Sequence, residues 1–160
     1  AILSPHYPAM GLAALEGRMN ALAATATMAP AVPLRPLMAA LRTRGLRLGL
    51  ATNDTEVPAK VHMEEAGIAD LLDMILGCDS GYGGKPGPGM LLAFARHTGI
   101  APGRIAMVGD SRHDLVAGRA AGMRAVAVLT GVAGVDELAP HADAVLPDIS
   151  HLPEWLDGLA

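Results

Sequence analysis

The sequence predicts an α/β protein built on a doubly wound parallel sheet, and three observations carry this prediction. From residue 46 onward, short apolar segments alternate with segments of helical length, which is the order that produces βαβ units. The apolar segments are continuous, as expected for strands that are buried on both faces of a sheet. Glycines follow the predicted helices, where helices commonly end, at Gly45, Gly67, Gly99 and Gly122.

The first part of the chain is predicted to be helical and to differ in character from the rest. Residues 12–28 are rich in Ala, Leu and Met and predict one helix. Prolines within residues 30–36 interrupt this region, and residues 34–43 predict a second helix. We therefore expect residues 1–32 to form a separate helical subdomain and residues 33–160 to form the α/β core.

The core is predicted to contain five strands and four further helices. The predicted strands are residues 46–52, 74–78, 104–109, 124–129 and 144–146. The predicted helices are residues 54–66, 90–98, 111–121 and 152–159. We expect the side chain of Asp54 or Thr55 to cap the first of these helices.

Composition limits the classes of partner open to the chain. Of its 160 residues, 51% are apolar but only 2% are aromatic, so the core must be mainly aliphatic. A net charge of −4 argues against a nucleic-acid partner, which needs a basic surface. No apolar run has the length of a membrane span, no basic segment of a signal peptide opens the chain, and Cys78 is the single cysteine. We therefore expect a cytoplasmic protein that binds neither membranes nor nucleic acid.

Polar candidates follow three of the predicted strands. Ligands of open parallel sheets bind beyond the carboxyl ends of the strands, so residues there are the first candidates for function. Five side chains lie at such positions: Thr52 and Asn53 after the first strand, Lys85 in the glycine-rich loop after the second, and Asp110 and Asp114 after the third.

Asp110 and Asp114 have the spacing of a metal-binding pair. Asp110 lies at a strand end and Asp114 lies one helical turn later, so both side chains can face the same point. Two such carboxylates repel each other unless a cation lies between them, and oxygen ligands favour Mg²⁺. The alternative is that Asp110 only caps the helix while Asp114 complements its dipole.

Lys85 and Thr52 are candidates for binding a phosphoryl group. Lys85 lies among five glycines and two prolines and could neutralise phosphate as a point charge. Thr52 could donate a hydrogen bond to a phosphoryl oxygen. The alternatives are a solvated loop lysine and a strand threonine whose hydroxyl is satisfied locally. Pro86 directly after the lysine excludes both a Walker A motif and a dinucleotide fingerprint.

These three motifs, in this order, resemble motifs two, three and four of the haloacid dehalogenase superfamily, most closely its phosphoglycolate phosphatase-like members. The matching segments read LRTRGLRLGLATND, GCDSGYGGKPGPGMLLAF and IAMVGDSRHDLVAGRAAGM. The resemblance covers roughly residues 33–146. It implies a Rossmann-like core, residues 1–32 as the remnant of a helical cap, and Mg²⁺-dependent hydrolysis of a small phosphorylated metabolite.

The resemblance also implies a role for each candidate side chain. Thr52 would bind the transferring phosphoryl group, with Asn53 nearby. Lys85 would neutralise that group and steady the nucleophile. Asp110 would bind Mg²⁺ directly, and Asp114 would support the metal, for example through water.

One family motif does not occur in the sequence. Members of the family begin with a strand ending in Asp-x-Asp, whose first aspartate attacks phosphorus and whose second acts as acid and base. No two of the ten aspartates here are two positions apart. In the family, the strand that carries this motif lies between the strands that would here end near Thr52 and Gly109. The resemblance therefore implies a fragment that is inactive alone, in which each of those two strands has an unpaired apolar edge.

Two other classes of protein share parts of this pattern. A non-catalytic binding module could keep a phosphate or metal site, and it would form an intact sheet from these residues alone. A receiver-type signalling domain also has acidic residues at strand ends, but the Gly-Asp-x-x-x-Asp step onto a helix fits it poorly.

Overall fold

The computed structural model describes residues 11–25 and 29–159. Its strands are β1 (Gly49–Ala51), β2 (Met74–Leu76), β3 (Ala106–Gly109), β4 (Arg124–Val128) and β5 (Ala144–Leu146). Its α-helices are α1 (Leu12–Ala24), α2 (Leu34–Thr43), α3 (Glu56–Glu65), α4 (Gly89–Thr98), α5 (Arg112–Ala120), α6 (Val135–Leu138) and α7 (Leu152–Asp157). No helix within the described ranges has the length and apolarity needed to cross a membrane.

The five strands form two parallel sheets. β1 pairs with β2, with Gly49 opposite Met74. β4 lies between β3 and β5 in the second sheet, with Ala106 opposite Arg124. The predicted α/β class with parallel strands is confirmed. The strands do not form one continuous sheet, because no strand in the described part of the chain pairs with β1 on one side and β3 on the other.

Burial differs sharply between neighbouring strands. Residues 125–128 of β4 are buried, as expected for a strand covered on both faces. In contrast, the four residues of β3 are only half-buried, and none of the residues of β1 is buried. The unpaired edges of β1 and β3 therefore border space that no described side chain fills.

The glycines predicted to follow the helices are found at the helix ends. The four predicted stop glycines have positive φ angles, which a glycine adopts without strain, at Gly45, Gly67, Gly99 and Gly122. Helix α6 (Val135–Leu138) was not predicted. It has only four residues, too few to show a helical period in the sequence.

The start of α3 corrects one prediction. Thr55 occupies the N-cap position, but no side-chain cap hydrogen bond is formed there, so capping by the Asp54 or Thr55 side chain is wrong. Asp79 Oδ1 instead accepts a hydrogen bond from the backbone N–H of Glu56 at 2.8 Å. A Cβ atom at Gly77 would lie 2.3 Å from that nitrogen, so glycine is needed for this close approach.

Helix α1 packs against α3 through polar contacts. Asn20 Oδ1 accepts a hydrogen bond from Thr55 Oγ1 at 2.7 Å. His62 Nε2 lies 3.0 Å from the carbonyl oxygen of Ala23. Of the helix predicted over residues 12–28, α1 covers residues 12–24, and residues 26–28 lie outside the described residues. A domain boundary between residues 32 and 33 stays a prediction.

Candidate functional site

A cavity of about 860 Å³ lies between the two sheets. Its apolar lining comes from β1, β3 and the facing residues of α4 and α7. At the carboxyl ends of β1 and β3 the lining is polar, and it consists of Thr52, Lys85, Asp110 and Asp114. Four of the five candidate side chains therefore line one cavity. We call it the inter-sheet cavity.

Lys85 is held deep in this polar end. Its Nζ atom donates to the carbonyl oxygen of Ala51 at 2.7 Å and forms an ion pair with Asp114 Oδ1 at 2.5 Å. The Lys85 and Asp114 side chains are only 10% and 8% exposed. Lys85 is therefore not a solvated loop lysine. It links the end of β1 to the first turn of α5.

Asp114 is fixed by the turn that begins α5. Ser111 is the N-cap residue, and its Oγ atom donates to Asp114 Oδ2 at 2.7 Å. The backbone N–H of Ser111 donates to the same oxygen at 3.2 Å. A Cβ atom at Gly109 would lie 2.3 Å from Asp114 Cβ, so glycine lets this carboxylate lie over the end of β3. Both carboxylate oxygens are thus engaged.

Unlike the buried Asp114, Asp110 is exposed, and it lies directly after the end of β3. Ser111 caps α5, so the alternative in which Asp110 caps the helix is wrong. Among the described residues, no hydrogen-bond or ion-pair partner of the Asp110 carboxylate is found. A Cβ atom at Gly131 would lie 2.7 Å from Asp110 Cγ. Gly131 was missed by sequence reasoning, although its position just after β4 obeys the same strand-end rule.

Thr52 and Asn53 extend from the end of β1. The N–H of Thr52 continues the sheet by donating to Leu76 O at 2.9 Å. The Thr52 hydroxyl donates to Asp54 Oδ2 at 3.2 Å and accepts from the Asp54 N–H at 3.1 Å. The side-chain amide of Asn53 contacts the backbone of Lys85 at both of its polar atoms. These two residues therefore meet the lysine loop from the β1 side.

The carboxylates at the polar end fit a Mg²⁺ ion that takes few of its ligands from the protein. Within the described ranges, no group of three or more His, Cys, Asp and Glu side chains could hold a metal ion. Mg²⁺ commonly uses only one or two carboxylates, together with waters and phosphate oxygens. The exposed Asp110 carboxylate suits such direct contact. Asp114, with both oxygens engaged, suits contact through water.

Comparisons with known proteins agree with the fold and the motifs. Residues 82–152 match a family model described as HAD-hydrolase-like. The chain is 36% identical over 120 residues to phosphoglycolate phosphatase of Rhodospirillum rubrum, covering 75% of this chain and 50% of the relative. It is 39% identical over 124 residues to phosphoglycolate phosphatase of Neisseria meningitidis serogroup A, covering 76% and 52% respectively. The fold aligns with the crystal structure of a Lactobacillus delbrueckii subsp. bulgaricus protein assigned as a phosphoglycolate phosphatase. That alignment has a TM-score of 0.74 and 27% identity, and it covers 81% of this chain and 54% of the other.

The chain belongs to the haloacid dehalogenase superfamily. The resemblance indicated by three short motifs is thereby confirmed, and the similarity is to phosphoglycolate phosphatases within the family. The chain spans about half the length of the curated relatives it matches. The roles that membership of the haloacid dehalogenase superfamily implies for Thr52, Asn53, Lys85, Asp110 and Asp114 stay predictions.

Proposed function

We propose that this chain forms the phosphoryl-binding and metal-binding part of a Mg²⁺-dependent phosphomonoester hydrolase, with phosphoglycolate as the leading substrate. One observation carries the proposal. A lysine whose side chain is only 10% exposed, a threonine hydroxyl and two carboxylates line the same end of one cavity. The similarity to phosphoglycolate phosphatases supports this choice of substrate class. A cytoplasmic location stays a prediction of the sequence.

Lys85 would offset the charge of the phosphoryl group. Its ammonium group is already oriented by Ala51 O and Asp114 Oδ1, so little reorganisation is needed when phosphate arrives. The Thr52 hydroxyl would turn from Asp54 to a phosphoryl oxygen. Because Asp114 already balances the charge of Lys85, we expect phosphate alone to bind weakly.

Mg²⁺ would be held by Asp110, with Asp114 supporting it through water. When bound, Mg²⁺ supplies positive charge that offsets the charge on the phosphoryl oxygens. The exposed Asp110 carboxylate would otherwise repel phosphate. Asp110 therefore links phosphate affinity to the presence of the metal, which is a property that binding experiments can measure.

The nucleophile would come from an aspartate on a strand seated between β1 and β3. Its carboxylate oxygen would attack phosphorus, the ester oxygen would leave with a proton, and water would then hydrolyse the aspartyl-phosphate. The inter-sheet cavity and the half-buried β1 and β3 support a strand at this place. Since Asp-x-Asp does not occur in the 160 residues, we expect these residues alone not to turn over substrate.

The proposal can be tested by supplying the strand as a synthetic peptide. The peptide would carry five β-branched apolar residues followed by Asp-x-Asp, and the assay would follow release of phosphate from phosphoglycolate. We expect Mg²⁺-dependent release with this peptide and none with a matched Asn-x-Asp peptide, although both bind. Binding of neither peptide, or equal phosphate release with both, would contradict the proposal.

A non-catalytic binding module is the second candidate. The absence of Asp-x-Asp from these 160 residues favours it, whereas the two separate sheets count against it, because an intact sheet was expected of such a module. Such a module would bind phosphate with Mg²⁺ but would release no phosphate from an ester even with the Asp-x-Asp peptide bound. The same assay therefore separates the two candidates.

A further inference from the structure

The loop that carries Lys85 is anchored firmly at its beginning. Asp79 Oδ1 accepts from the N–H of Glu56 at 2.8 Å, and Ser80 Oγ accepts from the N–H of Gly77 at 2.9 Å. The Glu56 carboxylate accepts hydrogen bonds from Lys60 Nζ and Ser80 Oγ. These hydrogen bonds, that from Lys60 foremost, hold the pKa of Glu56 below its ordinary value. These contacts fix the first two residues of the loop but do not reach Lys85.

The next four residues of the loop give it little rigidity of their own. Residues 81–84 are all exposed, and three of them are glycines. Gly81 and Gly83 have φ angles of +85° and +76°, which glycine adopts freely and other residues rarely do. A turn in which the N–H of Gly87 donates to Gly84 O at 3.0 Å spans Lys85, but it ties Lys85 only to other residues of the loop. Contacts from outside the loop are therefore needed to fix where Lys85 lies.

The Asn53 side chain makes that connection. Its Oδ1 atom accepts from the Lys85 N–H at 2.7 Å, and its Nδ2 atom donates to the Lys85 carbonyl oxygen at 3.0 Å. One primary amide thus satisfies both backbone groups of one residue, as a neighbouring strand would. Gly84 permits this approach, because a Cβ atom there would lie 3.1 Å from Asn53 Oδ1.

The other end of Lys85 is tied to the same strand end. Its Nζ atom donates to Ala51 O at 2.7 Å, two residues before Asn53. The backbone and the ammonium group of Lys85 are therefore both fixed by residues 51–53. Asp114 adds the third contact from α5. Loss of the Asn53 amide would free the backbone end while leaving the ammonium contacts chemically intact.

We propose that Asn53 is a positioning residue, whose side-chain amide clamps the backbone of Lys85 and thereby aims its ammonium group into the inter-sheet cavity. The consequence for phosphate affinity rests on the proposed function. The clamp itself does not, because it concerns only the order of the loop. This role differs from direct contact between the Asn53 amide and a phosphoryl group, since both amide atoms are already engaged.

The first test is amide hydrogen exchange at Lys85, followed by ¹H–¹⁵N NMR. We expect Asn53→Ala to speed exchange of the Lys85 amide at least about tenfold, because its acceptor is lost. Asn53→Asp keeps the acceptor but loses the donor, so exchange should rise less. Asn20→Ala is the matched control, because Asn20 is the only other asparagine and it contacts Thr55 instead. Unchanged exchange in Asn53→Ala, or an equal increase in Asn20→Ala, would overturn the clamp.

The second test is calorimetric titration with inorganic phosphate in the presence of Mg²⁺. We expect Asn53→Ala to weaken binding about fivefold to tenfold and Asn20→Ala to leave it within twofold. If Asn53 acts through Lys85, adding Asn53→Ala to Lys85→Met should weaken binding no further. A further loss in the double variant would instead indicate direct contact and overturn the positioning role. Absence of phosphate binding in the unsubstituted chain would count against the proposed function, while the exchange result would still decide the clamp.

Discussion

Replacement of Lys85 by Met should destabilise the fold and not only impair binding. The Lys85 and Asp114 side chains are 10% and 8% exposed and their charged atoms lie 2.5 Å apart. Removing one partner of a buried ion pair costs about 3–5 kcal/mol. Asp114 keeps its two hydrogen bonds from Ser111, so we expect about 3 kcal/mol. For a domain of this size, that loss lowers Tm by roughly 6–12 °C.

Urea unfolding followed by circular dichroism measures this loss. Lys60→Met is the matched control, because Lys60 is the only other lysine and its side chain is 52% exposed. We expect that control to cost under about 0.5 kcal/mol. In a double-mutant cycle with Asp114→Asn, the losses should be less than additive by about 2 kcal/mol. A loss below about 1 kcal/mol for Lys85→Met, or strict additivity, would refute the reasoning.

Three further predictions follow from contacts around the site and the sheets. Gly131→Ala should displace the Asp110 carboxylate, which a Cβ atom would approach to 2.7 Å, and should weaken Mg²⁺-dependent phosphate binding severalfold in calorimetry while Tm changes little. Ser111→Ala should cost about 1 kcal/mol in urea unfolding through loss of the capping box; a cost near zero would contradict that role. Burial raises the pKa of Asp73, but hydrogen bonds, that from the Arg47 side chain foremost, together with the charges of Arg42 and Arg47 outweigh it and hold the pKa below its ordinary value. Asp73 should therefore stabilise the fold above about pH 4 and lose this contribution as the pH falls further. Asp73→Asn should cost about 1 kcal/mol at pH 7, and this difference in unfolding free energy should shrink in acid; a constant difference would contradict the assignment.

Local signals in the sequence were enough to find the strands and every α-helix in the described residues except α6. Each predicted strand and helix has a counterpart, because continuous apolar runs and stop glycines such as Gly67 act within a few residues. The cap of α3 could not be found in this way. Asp79 reaches the N–H of Glu56 from 23 residues away along the chain, and no local pattern records that approach.

The candidate site was predicted only as far as topology allows. The rule that parallel strands end on one edge brought Thr52, Lys85, Asp110 and Asp114 to one cavity. The rule does not say which side chains pair. The Lys85–Asp114 ion pair and the contacts of Asn53 depend on loop conformation, which the glycine-rich sequence leaves open.

Phosphate titration with and without Mg²⁺ tests the central claim most directly, since it asks whether these residues form one phosphate and metal site. We predict that phosphate binds measurably only with Mg²⁺, and that Asp110→Asn and Lys85→Met each weaken that binding more than tenfold. Phosphate affinity that is the same without Mg²⁺ or in Asp110→Asn, or no binding under any of these conditions, would contradict the account.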